Sequence, residues 1–162
     1  KKPKKIIGVE IGKECCRYFK ENIQLNKVSP YDVEIIQGDV KKVIPKLIKG
    51  KINFGNPKNF SLKNFGTSKT KKRKHGFEGF DVIVMARPNL RETFLNQGLM
   101  SSKKDTRIFY YGFCKENEKE LIVEKIKSEA KKYKKKIKIL KIKKAGEIAP
   151  YKIRLRVDFK VL

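Results

Sequence analysis

Histidine is almost missing from this chain. His75 is the only one in 162 residues, and it lies in a basic stretch, which argues against a His-based catalytic triad or a His-ligated zinc site. Cysteine is scarce as well. Cys15, Cys16 and Cys114 are an odd number without metal-ligand spacing. Neighbours on a helix point about 100° apart, so Cys15 and Cys16 are poorly placed to share a metal. The three fit small buried hydrophobes in a reducing compartment. No apolar run approaches the roughly 18 residues of a membrane span, and no charged-then-apolar secretory leader is present. The expectation is a cytoplasmic protein with no membrane partner.

Acids are few: 17 Asp and Glu stand against 42 Lys and Arg, a net charge of +25. Solubility needs far less, so a polyanion is the leading partner, and for a soluble chain that means nucleic acid before membrane. An AT-rich genome or a hot habitat also enriches lysine and isoleucine and supplies part of the excess. The length suits one domain with a real core.

Against this background one stretch organises the rest. In KKIIGVEIG, residues 4 to 12, an apolar run from Ile6 to Val9 ends in Glu10 and passes through Ile11 and Gly12 into a helical pattern. An acid at the carboxyl end of a buried strand stands in the crevice where open α/β sheets hold nucleotide-like ligands, and it can accept both hydroxyls of a ribose. VEIIQGDV, Val33 to Val40, repeats the design with Asp39 just before a helix. FDVIVMARP, Phe80 to Pro88, ends in an irregular Ala-Arg-Pro.

Periodicity fills in the elements between. Gly12 to Lys27 places Cys16, Phe19 and Ile23 on one helical face. Lys41 to Lys49 predicts a short helix whose middle Pro45 demotes or restarts. Strand, helix, strand, helix implies right-handed crossovers and a parallel sheet. The segment from 50 to 79 breaks the rhythm, with five of the eleven glycines, the basic cluster Lys69 to His75 and scattered phenylalanines. Basic residues among aromatics suit backbone phosphates and unpaired bases; the same composition suits a surface insertion tacked down by its phenylalanines.

Beyond it, DVIVM has the near-continuous apolar character of a strand buried on both faces. Asn89 to Met100 predicts a helix with Leu90, Phe94 and Leu95 on one side, Arg107 to Phe113 a strand, and Glu116 to Lys135 the longest helix, facing Ile122, Ile126, Ala130 and Tyr133 inward. Ile137 and Ile139, then Ile153, Leu155, Val157, Phe159 and Val161, alternate with Lys or Arg. They predict an antiparallel hairpin joined through Lys144 to Pro150 that closes the sheet.

Parallel strands ending in Glu10 and Asp39, a Pro-containing turn and a terminal hairpin resemble the class I S-adenosylmethionine-dependent methyltransferases, a Rossmann-like α/β sheet with helices on both faces. Within that class the chain resembles the archaeal and eukaryotic tRNA (guanine-N1)-methyltransferases that act at tRNA position 37, and their relatives in wybutosine synthesis. The matching segments are GVEIGKECCRYFKENIQLNKV, IIQGDVKKVIP, FDVIVMARPNLRETFL, RIFYYGFCKE and GEIAPYKIRLRVDFKV, collinear and covering most of the chain outside the insertion.

The resemblance implies S-adenosylmethionine as cofactor and tRNA as partner. Glu10 would bind the cofactor ribose with Ile11 beside the adenine, and Asp39 with Val40 would hold the adenine edge. Ala86, Arg87 and Pro88 occupy the turn that borders the methyl group and target base. Here Ala86 replaces the usual Asn and so lacks its side-chain amide, and Arg87 could instead meet a phosphate or the guanine, unless it is a surface charge. Lys71, Lys72, Arg73, Lys74, Arg154 and Arg156 are candidate contacts to RNA phosphates, the alternative being solvated charge. Glu92 and Glu147 are poor candidates for the base that removes the N1 proton, and none is assigned.

The family's glycine-rich cofactor loop is missing, together with the central strand before it. Without that strand, those at Ile6 to Ile11 and Phe80 to Met85 would have unpaired backbone edges. The expectation is one partial methyltransferase domain over 1–162, with its insertion at about 50–79. It would be completed by a missing amino-terminal segment or a second chain and inactive alone. Two rivals stand beside methyl transfer: aminocarboxypropyl transfer from the same cofactor, and a non-catalytic RNA-binding subunit.

Overall fold

The computed structural model describes residues 3–29, 32–52, 77–86 and 93–162. The chain divides into two compact units, Lys1–Phe77 and Glu78–Leu162.

The first unit is built from two strand-helix repeats. Strand β1, Ile6–Glu10, pairs in parallel with β2, Val33–Gln37, and Glu10 stands opposite Gln37. Helix α1, Lys13–Leu25, connects them and buries Cys16 and Ile23. Phe19 lies over β1 where Gly8 leaves room, since a Cβ there would come within 3.4 Å of the ring. Cys15, expected to be buried, is exposed, because the helical turn points it away from its neighbour. Four successive residues of β2 are buried, and among them Glu34 pairs with Lys5 at 2.9 Å.

Helix α2, Val40–Ile48, runs without interruption through Pro45. Proline removes one helical hydrogen bond. Val43, Ile44 and Leu47 are buried along one face, and that anchoring outweighs the missing bond, so the expected restart does not occur.

The second unit is a four-stranded sheet in the order β3-β4-β6-β5. Strand β3, Phe80–Met85, lies parallel to β4, Ser102–Lys115, and β6, Lys152–Val161, runs antiparallel between β4 and β5, Ile137–Ala149. Helices α3, Leu95–Met100, and α4, Lys119–Lys132, cover one face. Beneath them Ile108, Ile153, Leu155, Val157 and Phe159 are fully buried with Leu95, Leu99 and Ile126. Ile122 and Ala130 are buried as well, and Tyr133 is half-buried, as the helical spacing predicts.

Several expected boundaries move. Helix α3 starts only at Leu95, and the stretch holding Leu90 lies outside the described residues. The last hairpin turns at Pro150 and Tyr151 alone, Tyr151 taking a φ of 62°, so most of the expected connection is strand. Strand β4 begins five residues early, across polar SKKDT. Thr106 explains this extension. It is fully buried where the β3–β4 register shifts, its hydroxyl donating to the Phe80 carbonyl at 2.5 Å and accepting from the Lys103 amide at 2.8 Å. The chain enters β3 through Gly79, at a φ of +107°, where a Cβ would lie 2.9 Å from the Lys103 nitrogen.

Thr106→Val keeps the shape and strands both backbone groups. It is expected to destabilise this unit by about 2 kcal/mol, the desolvation of unpaired buried polar groups. Urea unfolding followed by circular dichroism checks it, and a loss below a few tenths would show the bulge to be held by other contacts.

Strand β3 departs from expectation on one side. Its apolar run predicts burial on both faces, yet Val82 is 54% and Val84 60% exposed. Neither α3 nor α4 lies on that face. No strand among the described residues pairs with the outer edge of β3, or with the edge of β1 away from β2. No helix among them is long and apolar enough to cross a membrane.

Candidate functional site

The first unit brings its two acids together by topology. Because β1 and β2 are parallel and in register through Glu10 and Gln37, their carboxyl ends coincide. The Gly38 amide donates to the Glu10 carbonyl at 2.9 Å and ties the two ends. The half-buried Glu10 carboxylate is aimed by its own loop: Oε1 accepts from the Gly12 amide at 2.8 Å. The Cys16 thiol, buried on α1, donates to the Glu10 carbonyl oxygen at 3.4 Å. Burial and then the Glu10 charge push that thiol's pKa up, keeping it protonated and a donor.

Gly12 belongs to this arrangement. A Cβ there would come within 3.2 Å of both Glu10 Oε1 and the Cys15 sulfur. The sequence reading placed Cys16 on the inner helical face but gave neither it nor Gly12 a role at the site. The signal was present in the Glu-x-Gly spacing, which lets a carboxylate reach the amide two residues on.

Asp39 caps α2, its Oδ1 accepting from the Lys41 amide at 2.9 Å. Val40 is the first residue of that helix and half-buried; Ile11 is 62% exposed beside Glu10. The arrangement therefore offers two carboxylates, each with one oxygen engaged by backbone, next to an exposed apolar side chain and the amino end of a helix. Such a set accepts hydrogen bonds from hydroxyls and amines and lays an apolar surface against a flat ring. Asp39→Ala is expected to cost about 1 kcal/mol of stability through the lost cap, and Asp39→Asn far less, since Asn also caps. Paired denaturant melts check the difference.

The other candidates are placed elsewhere or not described. Ala86 is exposed, directly after β3 in the second unit. Arg87, Pro88, Glu92 and the cluster Lys71, Lys72, Arg73 and Lys74 lie outside the described residues. Glu147 is exposed on β5 and accepts from Lys144 at 2.8 Å.

Arg154 is exposed on β6, its guanidinium 5.8 Å from the centre of the Phe113 ring. Arg156 grips Asp158 through two hydrogen bonds, at 2.5 and 2.6 Å, and lies 4.8 Å from the Phe109 ring centre. The Asp158 carboxylate raises the Arg156 pKa and already balances its charge, so Arg154 is the freer of the two for a phosphate. Residues two apart on a strand share a face, which brings this pair together. Among the described residues, no group of three or more His, Cys, Asp or Glu gathers to hold a metal.

A parallel pair ending in two acids and a second sheet closed by an antiparallel hairpin define a Rossmann-like fold of the class I methyltransferase kind. Solved structures agree. The chain aligns over 98% of its length with wild-type Trm5b from Pyrococcus abyssi, at a TM-score of 0.69 and 23% identity, covering 38% of that chain. TYW2 from M. jannaschii, solved with AdoMet, gives 0.71 at 22% identity, with 98% of this chain and 58% of that one covered. The complex of aTrm5 with tRNALeu gives 0.64 at 19%, over 98% and 35%. The chain thus spans between about a third and three fifths of these relatives. No curated protein matches the sequence. Residues 1–76 match the model of the TRM5/TYW2 methyltransferase domain.

Proposed function

We propose that this chain is part of an S-adenosylmethionine-dependent tRNA methyltransferase that methylates N1 of guanosine at tRNA position 37. The observation that carries the reading is the pair of acid-ended parallel strands, Glu10 beside the Asp39 cap, inside the segment that matches the TRM5/TYW2 domain. Relatives of the same fold were solved with AdoMet, with MeSAdo and with tRNALeu, which supports that cofactor and a tRNA substrate.

The donor set fits the cofactor. Glu10 takes the ribose hydroxyls, Ile11 lies beside the adenine, and Asp39 with Val40 receives the adenine edge. By resemblance to the family, Ala86 is assigned to the methyl end and Arg87 and Pro88 to the target base. Bound there, the cofactor supplies a sulfonium-activated methyl group, while these residues bind and orient it. The N1 proton goes to a base that we assign to none of these residues.

The charge of +25 draws in tRNA, with Lys71, Lys72, Arg73, Lys74 and Arg154 as phosphate contacts and Arg156 secondary because Asp158 engages it. In this reading residues 1–162 act as a single partial catalytic domain in the cytoplasm, with a basic insertion at about 50–79. A further segment or second chain completes it.

Aminocarboxypropyl transfer is the second reading. TYW2 structures give TM-scores of 0.71, as high as Trm5b at 0.69, and Ala86 lacks the amide usual at the methyl end. The test incubates the gene product with unmodified tRNA and S-adenosylmethionine labelled either in the methyl or in the aminocarboxypropyl carbons, then digests the RNA. Methyl label in 1-methylguanosine is the expected result. Label from the other carbons instead would replace it with the second reading, and tight RNA binding without either label would leave a non-catalytic binding subunit.

A further inference from the structure

The turn of the last hairpin holds an aromatic side chain where backbone geometry favours other residues. Only Pro150 and Tyr151 separate β5 from β6, and Ala149 pairs with Lys152 across them. Proline fixes its φ at about −65°, and Tyr151 follows at 62°. Proline and then a positive φ is the pattern of a type II turn, whose second central position calls for Gly or Asn. Lys27, Asp105 and Lys134 also have positive φ, and none of them is aromatic. Tyr151 is 81% exposed, the most open large hydrophobic among the described residues, so burial does not offset its backbone cost. Strain of this kind persists where a residue is kept for function.

The turn is pinned in place. The Glu116 amide donates to the Tyr151 carbonyl at 3.1 Å, and Lys144 pairs with Glu147 at 2.8 Å and with Glu116 at 3.5 Å. Strands β3 and β4 are parallel, so their carboxyl ends point to one rim of the sheet, and Lys115, ending β4, stands opposite Lys152. Tyr151 therefore stands at the rim where such sheets take ligands. Met85 registers with Tyr110, so the turn lies roughly 17 Å beyond the end of β3 at about 3.3 Å per residue. Cations flank it. Lys152 follows directly, and Lys115 and Arg154 share the face that α3 and α4 leave bare. No ion pair involves Lys152 or Arg154 among the described residues.

We propose that Tyr151 is a stacking platform for an unpaired RNA base other than the one modified, with Lys152 on the adjoining phosphate. This role rests on the reading of RNA as substrate, whichever group is transferred to it. An aromatic ring beside cations holds a single strand without base readout, because every base has a π-face. A base held at the end of β3 is out of reach of the turn, so the contact falls on another nucleotide. A polypeptide would ask for a larger apolar patch, whereas the tip offers Tyr151 and Ile148 among lysines.

The 162 residues contain no tryptophan, so Tyr151→Trp places a single reporter in the chain. Its fluorescence should be quenched by an oligouridylate and not by an abasic oligomer of the same length, which carries the phosphates without the rings. Tyr151→Asn removes the ring and suits the positive φ. It should melt no lower than the unaltered chain and bind the oligouridylate about fivefold or more weakly, the low end of stacking on one base. Tyr151→Phe should keep the affinity. The slope of log affinity against log salt should hold in Tyr151→Asn and flatten by about 0.7 in Lys152→Ala, one phosphate contact fewer. With the gene product and unmodified tRNA, Tyr151→Asn should raise KM for tRNA and leave kcat unchanged. Equal oligouridylate affinity for Tyr151→Asn and the unaltered chain, quenching that the abasic oligomer matches, or no binding of single strands at all overturns the proposal and leaves the ring to a polypeptide partner. A chain that stacks uridines yet transfers nothing to tRNA keeps this role and loses the reaction proposed above. Transfer with an unchanged KM for tRNA in Tyr151→Asn does the reverse.

Discussion

Phe159→Ala is expected to destabilise the second unit by about 3–5 kcal/mol, the usual loss for emptying a fully buried Phe site. Phe159 is wholly inaccessible on the central strand β6, opposite Ile108 of β4 and Ile139 of β5. Leu95, Leu99 and Ile126 belong to the same core and enclose it from the helical side. The strands on either side are held by ladder hydrogen bonds, so the backbone cannot collapse into the space a truncated side chain leaves. Domains of this size have roughly 5–15 kcal/mol in all, so the variant should lose a large part of its stability and melt far earlier. Phe109→Ala, on the bare face, supplies the contrast. Phe109 is only half-buried, and its loss should cost no more than about 1–2 kcal/mol, since little surface leaves water there to begin with. Urea melts of the two variants beside the unaltered chain test this. A similar loss for both would mean that this face is covered in solution.

The elements were legible where local pattern and tertiary burial agree. The alternation of Ile153, Leu155, Val157, Phe159 and Val161 with charged residues foretold β6 and its inward face, and the spacing of Ile122, Ile126 and Ala130 foretold α4. What the pattern misjudged were places where one tertiary contact overrides a local rule. Pro45 should have broken α2, but three buried side chains on one face hold it. SKKDT was not read as strand, yet β4 includes it, and Thr106 substitutes a side-chain hydroxyl for missing ladder bonds. The hairpin connection of β5 carries lysine, glycine and glutamate, poor strand formers, and pairing with β6 keeps it extended nonetheless.

The candidate site was legible to the same degree. Glu10 and Asp39 were identifiable because a strand end is recognisable from its apolar run. Their backbone tethers went unassigned, although the two-residue spacing that lets a carboxylate reach the amide ahead of it stands in the sequence at Gly12 and Lys41. The engagement of Arg156 by Asp158 was readable from a two-residue spacing and changes the weight given to that arginine. Val82 and Val84 show the reverse case: their sequence calls for burial, and the described residues do not provide it.

Glu10→Ala is expected to lower the affinity of the gene product for S-adenosylmethionine by about ten- to hundredfold, corresponding to hydrogen bonds to a charged group worth roughly 1.5–3 kcal/mol. Glu10 Oε1 is held by the Gly12 amide at 2.8 Å, so the carboxylate is fixed before any ligand arrives and loses little entropy on binding. Glu10→Gln separates the roles. Its amide oxygen can still accept from Gly12 and keep the loop, while an NH₂ replaces the second acceptor, so it should retain stability and lose most of the affinity. Alanine removes both and leaves the Gly12 amide to water, at a modest cost because the site is half open. Calorimetric titration with the cofactor, alongside melting curves of the three proteins, gives both readouts. If Glu10→Gln bound as tightly as the unaltered protein, Glu10 would be a loop anchor only. The ribose would then have to be held by other groups, and the reading built on the two acid-ended strands would lose its first contact.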